Sequence, residues 1–273
     1  MPSLSAVIIT YNEEQNIARC IRSVLQVADE IIVLDSYSTD RTVEIARSLG
    51  AIVYQEKFRG YIGQKNLAIS MAAHRYILSL DADETLDTEL VHSILVEKNS
   101  FRHRAYTMNR CTNFCGKFIR HGLWYPDRKI RLFDRSIAEW GGMNPHDRIQ
   151  LQDGIKPKQL VGDILHYSFN TIEDLVWQNN RLSSIAAASR HANGQKSSIL
   201  KMICHPAWAF LNGYIFRGGF LDGSAGFSIA VHTSHGVFQK YNKLYHLQRA
   251  KRKVVPMTSA PVAAGTKITL GER

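Results

Sequence analysis

The stretch Tyr76–Glu84, YILSLDADE, decides the fold. A short apolar run passes directly into acidic residues, the pattern of a strand buried on both faces that ends at the edge of a sheet. Its tip delivers Asp81 and Asp83, one residue apart, to whatever lies beyond. Toward the N-terminus, Leu4–Thr10 (LSAVIIT), Glu30–Leu34 (EIIVL) and Ala51–Gln55 (AIVYQ) read as three more buried strands. Helical patterns separate them. One starts at Asn12 or Glu13 and carries Ile17, Cys20, Ile21, Val24 and Leu25 on one face. A second runs from Thr42 to Leu49, behind the polar turn Ser38-Thr39-Asp40, and stops at Gly50. Lys65–Ala73 and Thr85–Glu97 read as further helices. Repeated strand–helix alternation predicts an α/β protein with a doubly wound, mostly parallel sheet.

In such sheets ligands bind beyond the carboxyl ends of the strands. That rule singles out Thr10, Tyr11 and Glu13 after the first strand, Asp35 and Ser36 after the second, and Asp81 and Asp83 after the fourth. Two carboxylates at a strand tip offer hard oxygen ligands for Mg2+ or Mn2+, and such a metal suits a diphosphate. The bland reading of the same residues is a helix cap at Asp83 with Glu84 in the first turn. Asp35 is placed to accept hydrogen bonds from a base or ribose, or to cap the helix after Thr39. Neither G-x-G-x-x-G nor G-x-x-x-x-G-K-[ST] occurs, which argues against dinucleotide and P-loop enzymes.

A chain of 273 residues, 45% hydrophobic, suits one substantial domain with a smaller appendage. No run approaches the ~18 apolar residues of a membrane helix. The N-terminus enters a strand pattern without a basic region or cleavage site, which reads as a cytoplasmic protein. Four cysteines are too few for a disulfide scaffold. Cys111 and Cys115, with His103 and His121 nearby, lack the C-x2-C spacing of zinc sites and read as free thiols. The net charge of +10 is concentrated late: residues 171–273 hold thirteen Lys and Arg against four Asp and Glu. This implies an anionic partner (nucleic acid, anionic lipid or a phosphorylated substrate) or a solvated basic face.

VIITYNEEQNIARCIRSV (Val7–Val24), ADEIIVLDSYSTDRTVEIARSLGA (Ala28–Ala51), GQKNLAI (Gly63–Ile69) and YILSLDADE, in that order, resemble glycosyltransferase family 2 with the GT-A fold. RHGLWYPDRKIRLF (Arg120–Phe133), HDRI (His146–Ile149), GDILHYSF (Gly162–Phe169) and GFLDGSAGF (Gly219–Phe227) resemble one branch of it. That branch includes lipopolysaccharide core glucosyltransferases of Gram-negative bacteria. The resemblance spans about residues 3 to 245. It implies inverting transfer from a nucleotide sugar, with Mg2+ or Mn2+ held through Asp83 and assisted by Asp81 and His166. His166 reads equally as a core histidine. The resemblance also implies a carboxylate base. Asp147 stands in that place, in Pro145-His146-Asp147 where the branch reads Val-His-Glu, and Asp127 in WYPDR is its rival. The departing diphosphate calls for cations, for which Lys65, Arg128 and Arg131 are candidates.

Together these readings predict a GT-A domain over 1–170, a basic helical extension over 171–253 and a disordered tail over 254–273. The extension holds an apolar, aromatic segment, Ser197–Phe227, with Lys201, His205 and Arg217 interleaved, then the basic run Lys243–Lys253. It reads as a membrane-interface segment or as a core helix with a solvated end. The expected reaction moves a hexose, glucose from UDP-glucose, to a heptose of the lipopolysaccharide inner core, on the cytoplasmic face of the inner membrane. A capsule or glycolipid precursor and another donor are the alternatives within the class. A nucleic-acid-binding module is the alternative outside it, against which stands the absence of any reader motif.

Overall fold

β1 (Leu4–Thr10) pairs in parallel with two neighbours, β2 (Glu30–Asp35) and β4 (Tyr76–Asp81), and β3 (Ile52–Gln55) extends the sheet beyond β2. This is a computed structural model, and it describes residues 2–143 and 146–250. The connecting helices are α1 (Ile17–Val24), α2 (Thr42–Ser48) and α3 (Tyr61–Met71). They cover both faces. Leu4, Ile8, Leu78 and Leu80 pack with Ile17 and Ile21 on one side; Val7, Ile32, Leu34 and Ile77 pack with Ala68 and Ile69 on the other. Each buried Val, Leu or Ile among them contributes about 1.5–3 kcal/mol on burial, which favours continuous apolar runs as strands covered on both faces.

The remaining strands are β5 (Glu84–Leu86), β6 (Ala105–Phe114), β7 (Lys117–Phe118), β8 (Asp127–Asp134), β9 (Ala138–Met143), β10 (His146–Leu151) and β11 (Lys158–Phe169), with α4 (Thr88–Lys98) after β5. The main sheet runs β3-β2-β1-β4-β8-β6-β11-β5, with β7 beside β6. β8 is antiparallel to both β4 and β6, β11 is parallel to β6, and β5 closes the edge antiparallel to β11. β9 and β10 form a separate antiparallel hairpin. Asn66 of α3 clamps it: its Nδ2 donates to the Trp140 carbonyl at 2.9 Å and its Oδ1 accepts the Trp140 N–H at 2.9 Å.

Three expected helix boundaries are corrected. α1 starts at Ile17, because Asn12 turns into the left-handed region (φ 53°) and residues 12–16 are used in a turn. α3 starts at Tyr61, directly after Gly60 at φ 83°, rather than at Lys65. Thr85 lies in a strand, and the helix behind it begins at Thr88, capped by Asp87, whose Oδ1 accepts the Leu90 N–H at 2.7 Å. Asp83 and Glu84 therefore do not cap a helix.

α5 (Ile172–Ala192) opens with a capping box between Thr171 and Asp174. α6 (Ile199–Leu211) leads through a π turn, Asn212–Phe216, and a 3-10 turn, Gly219–Asp222, into α7 (Gly223–Ala250), which packs against both α5 and α6. The buried Asp222 ties this helical part to the sheet, accepting the Arg120 N–H at 3.2 Å and the His121 N–H at 2.9 Å. A Cβ on Gly226 of α7 would come within 1.8 Å of the Gly219 carbonyl oxygen, so the close approach of the helix to the preceding turn requires glycine. The sequence-distant RHG and GFLDGSAGF segments thus meet. Lys243 bonds Asn180, Ser183 and Ser184 of α5. No helix among the described residues is long and apolar enough to cross a membrane. All four cysteines are free. The stretch 254–273 lies outside the described residues.

Candidate active site

The ends of β1 and β4 open on a crevice of about 590 Å³. Its two upper loops are knitted together by their own polar residues. The Asn12 N–H donates to Ser38 Oγ, the Thr39 N–H to Asn12 Oδ1 and the Glu13 N–H to Thr42 Oγ1, each at 2.8 Å. Thr10, Tyr11, Glu13 and Ser36 line the crevice. Burial raises the Glu13 carboxyl above its ordinary value; the Asn16 amide opposes this and the Asp83 charge adds to it. Asp35 does not line the crevice. It is buried and accepts hydrogen bonds from the Ser38 N–H at 2.9 Å and Gln55 Nε2 at 3.0 Å. These bonds hold the second loop against the strand end.

At the floor, Lys65 is 5% exposed in its side chain, and its Nζ lies 3.0 Å from Asp81 Oδ1 and 2.8 Å from Asp147 Oδ2. The Trp140 ring sits 4.2 Å beneath that ammonium. On the other side, Arg131 Nη2 spans Asp81 Oδ2 at 3.2 Å and Glu84 Oε1 at 2.6 Å. Burial opposes ionisation of Asp81, but the adjacent Lys65 and Arg131 charges hold its carboxyl well below the usual carboxylate range. Both Asp81 oxygens face these two cations, and the residue also borders the crevice beside Asp83.

Asp83 stands two residues further, free of these cations and beside His166. The pairing of β5 with β11 places His166 opposite Glu84, and the Tyr167 N–H donates to the Asp83 carbonyl at 2.9 Å. The carboxylate and the imidazole come together as a result, with His166 Nε2 at 3.1 Å from Asp83 Oδ2. The other ring nitrogen, Nδ1, is 3.4 Å from Thr112 Oγ1, which orients the ring. A carboxylate oxygen and an imidazole nitrogen at this spacing fit two neighbouring positions around Mn2+ or Mg2+. Among the described residues no three His, Cys, Asp or Glu side chains converge as a complete ligand set. A metal here would draw its remaining ligands from water and substrate phosphate, as Mg2+ commonly does.

The rival carboxylates are separated by the geometry. Asp147, carried in by the β9–β10 hairpin, lines the same crevice as Asp83 and His166. Asp127 does not; its Oδ2 pairs with Arg110 Nη2 at 2.8 Å and its Oδ1 with Lys129 Nζ at 3.0 Å. Arg128 is exposed and lines a neighbouring cavity rather than the crevice, and Arg131 is buried behind Asp81. Other residues line the crevice without a sequence signal of their own. Phe58 and Tyr61, edge to face at 5.2 Å, join Tyr11 as exposed rings at the mouth. Gln178, Arg181, Leu182 and Ile185 of α5 form a wall of the crevice. No local signal marks these residues, because only tertiary packing brings α5 over the strand ends. Glu84 differs in that its acid follows D-x-D directly, but its local sequence favours a helix and it stands in β5, paired with Arg131.

Residues 5–152 match the family model described as Glycosyl transferase family 2. A protein of Rickettsia typhi described as an uncharacterized glycosyltransferase is 34% identical over 266 residues, covering 93% of this chain and 91% of its own length. The lipopolysaccharide core biosynthesis glycosyltransferase LpsC of Rhizobium meliloti is 27% identical over 264 residues, covering 87% of this chain and 93% of its own. Among solved structures, the mannosyltransferase PcManGT from Pyrobaculum calidifontis, in complex with GDP-Man and Mn2+, gives a TM-score of 0.50 at 14% identity, over 92% of this chain and 88% of that one. That last likeness is one of fold.

Proposed function

The chain belongs to glycosyltransferase family 2, has the GT-A fold and is a glycosyltransferase; from that premise we propose that it transfers glucose from UDP-glucose, with inversion, to a heptose of the lipopolysaccharide inner core. The observation that carries the chemistry is the convergence of Asp83, His166 and Asp147 on one crevice whose mouth is lined with aromatic rings. The acceptor reading is supported by the likeness to LpsC, described as a lipopolysaccharide core enzyme.

Asp147 takes the proton of the attacking hydroxyl. A sugar hydroxyl is a poor nucleophile, and a positioned carboxylate that removes its proton in the transition state contributes about 10²–10⁴-fold. Lys65 holds Asp147 Oδ2 at 2.8 Å, and Oδ1 has no hydrogen-bond partner among the described residues. Asp83 and His166 hold Mg2+ or Mn2+, which supplies charge neutralisation for the departing diphosphate. Lys65 and Arg181 add positive charge to the same crevice. Tyr11, Phe58 and Tyr61 offer ring faces to the base and sugar. Asp81 serves as the ion-pair anchor of Lys65 and Arg131.

The enzyme works at the cytoplasmic face of the inner membrane, attached peripherally. What supports this is α6, where Ile199, Leu200, Ile203 and Trp208 are 58–70% exposed on a helix preceded by Lys196 and carrying Lys201. Apolar side chains flanked by lysines suit an anionic bilayer surface.

The test offers purified protein UDP-glucose, other UDP-hexoses and GDP- and dTDP-sugars with Mg2+ or Mn2+. The acceptor is lipopolysaccharide from a strain lacking the gene. Mass analysis should record one added hexose from UDP-glucose. Addition from a different donor refutes the sugar, and UDP release with no gain on the core refutes the acceptor.

A further inference from the structure

A second cavity, of about 550 Å³, adjoins the donor crevice, and Lys65, Asp81 and Asp147 line both. The rest of its wall is basic. β6 supplies Arg110, β8 supplies Arg128, Lys129 and Arg131, and β10 supplies Arg148, with Trp140 and Ile149 as apolar surface between them. Six cationic side chains line the space against two acidic ones. Both acids are already engaged, Asp81 by Lys65 and Arg131, and Asp147 by Lys65. Asp127 engages Arg110 and Lys129 from beside the cavity. That leaves Arg128 and Arg148, both exposed, with no ion pair among the described residues. At the floor, Nε and Nη1 of the buried Arg131 have no hydrogen-bond partner among the described residues. Like charges gathered in a partly dry space repel, and an anion relieves that repulsion.

The donor diphosphate has its own place beside Asp83 and His166, so this second basic space needs another occupant. Asp147 stands at the seam of the two cavities. We propose that the second cavity is the acceptor subsite and that it takes a saccharide bearing a phosphate group, held by Arg128 and Arg148 with the accepting hydroxyl toward Asp147. This rests on the reading of Asp147 as the base. Guanidinium groups suit the role because their planar fork matches phosphate oxygens in pairs.

The experiment measures binding of inorganic phosphate, glucose 6-phosphate and glucose by calorimetry, with and without UDP and Mn2+. It compares the wild type, the double variant R128Q/R148Q, and a control of equal charge change, R22Q/R47Q, on α1 and α2. Loss of two charge-assisted contacts should weaken both phosphate ligands by roughly ten-fold or more in R128Q/R148Q. The control should stay near wild type, and glucose should not bind measurably. In transfer assays the double variant should raise acceptor KM with little change in donor KM. Equal phosphate affinity in R128Q/R148Q and wild type overturns the proposal. So does displacement of phosphate by UDP, which would put the anion in the donor crevice, and so does a fall confined to kcat. If anionic vesicles bind the wild type but not R128Q/R148Q while glucose 6-phosphate binds both alike, the phosphate belongs to lipid headgroups and the acceptor assignment fails. If UDP does not bind at all, the donor reading fails, and the UDP-free comparison still judges the cavity. If phosphate behaves as expected but lipopolysaccharide is not glycosylated, the acceptor named above falls and the subsite stands.

Discussion

The tip of β4 and the start of β8 both set carboxylates among cations, and the two regions come out differently. Around Asp81 and Asp147 the shared cation, Lys65, is 5% exposed, and the network opens on two cavities. Around Asp127 the partners Arg110 and Lys129 are 24% and 38% exposed, and both Asp127 oxygens are turned to them. The same pair of charges at 4 Å interacts by about 4 kcal/mol where the effective dielectric constant is near 20 and by about 1 kcal/mol in bulk water. The first network is therefore the stiffer, with Asp147 bordering the crevice. The second is more screened, and both Asp127 oxygens are engaged by cations that themselves border the second cavity. Charge composition does not separate these regions; the depth to which the backbone carries each group does.

The most severe way to break the first region is to remove Asp83. Asp83→Ala should cost about a thousand-fold in turnover, since a metal at a developing charge supplies several kcal/mol. Metal-dependent UDP binding should fall with it. Wild-type turnover in excess chelator would sink the metal reading. Next comes Lys65→Met, which leaves Asp81 and Asp147 without their common partner. Removing one member of a buried ion pair destabilises by about 3 kcal/mol or more. The effect carries a pH signature. Asp81 is held below the usual carboxylate range by Lys65 and Arg131 against the effect of burial. Its stabilising contribution is therefore fully present above the unfolded value of about 3.9 and lost as pH falls below that toward the folded value. Urea unfolding at neutral pH and in acid should show a smaller stability difference in Lys65→Met than in the wild type. An unchanged difference would mean that Arg131 alone sets the shift.

Much of the first region was legible in the sequence. β1, β2 and β4 are apolar runs buried on both faces, and their polar ends had to mark the crevice. Glu84 was not legible, because ETLDTEL has helical composition. Pairing with β11 and the bond to Arg131 override that propensity. The start of α1 was missed for a related reason: the polar residues after Thr10 bond the neighbouring loop instead of capping a helix. Asp35 was correctly placed at a strand end, but whether its carboxylate faces a ligand or its own loop depends on Ser38 and Gln55, which strand position cannot reveal. Arg181 and Phe58 carry no local signal at all. Asp147 came into view only through the family resemblance, since it sits on a hairpin outside the strand–helix pattern.

Asp147→Asn sharpens the comparison without disturbing shape. Loss of a general base should lower kcat by roughly a hundred-fold or more while leaving donor affinity nearly intact. A variant that instead loses UDP binding would make Asp147 a positioning group for the donor, acting through Lys65.

The smallest effect is expected at Asp127. Asp127→Asn removes two partly exposed ion pairs, each worth about 0–1 kcal/mol, so the thermal midpoint should hardly move. Turnover should stay within a few-fold, because Asp127 does not line the crevice that holds Asp83 and His166. The substitution also has a consequence in the opposite direction. It releases Arg110 and Lys129, both of which line the second cavity, from their carboxylate. Phosphate should then bind somewhat more tightly there, and the gain should shrink as salt screens the freed charges over about 8 Å at physiological ionic strength. The pair of asparagine variants decides between the two regions. If Asp127→Asn is inactive with donor still bound while Asp147→Asn turns over normally, the base lies at the start of β8. The hairpin acid would then be only the counter-ion of Lys65.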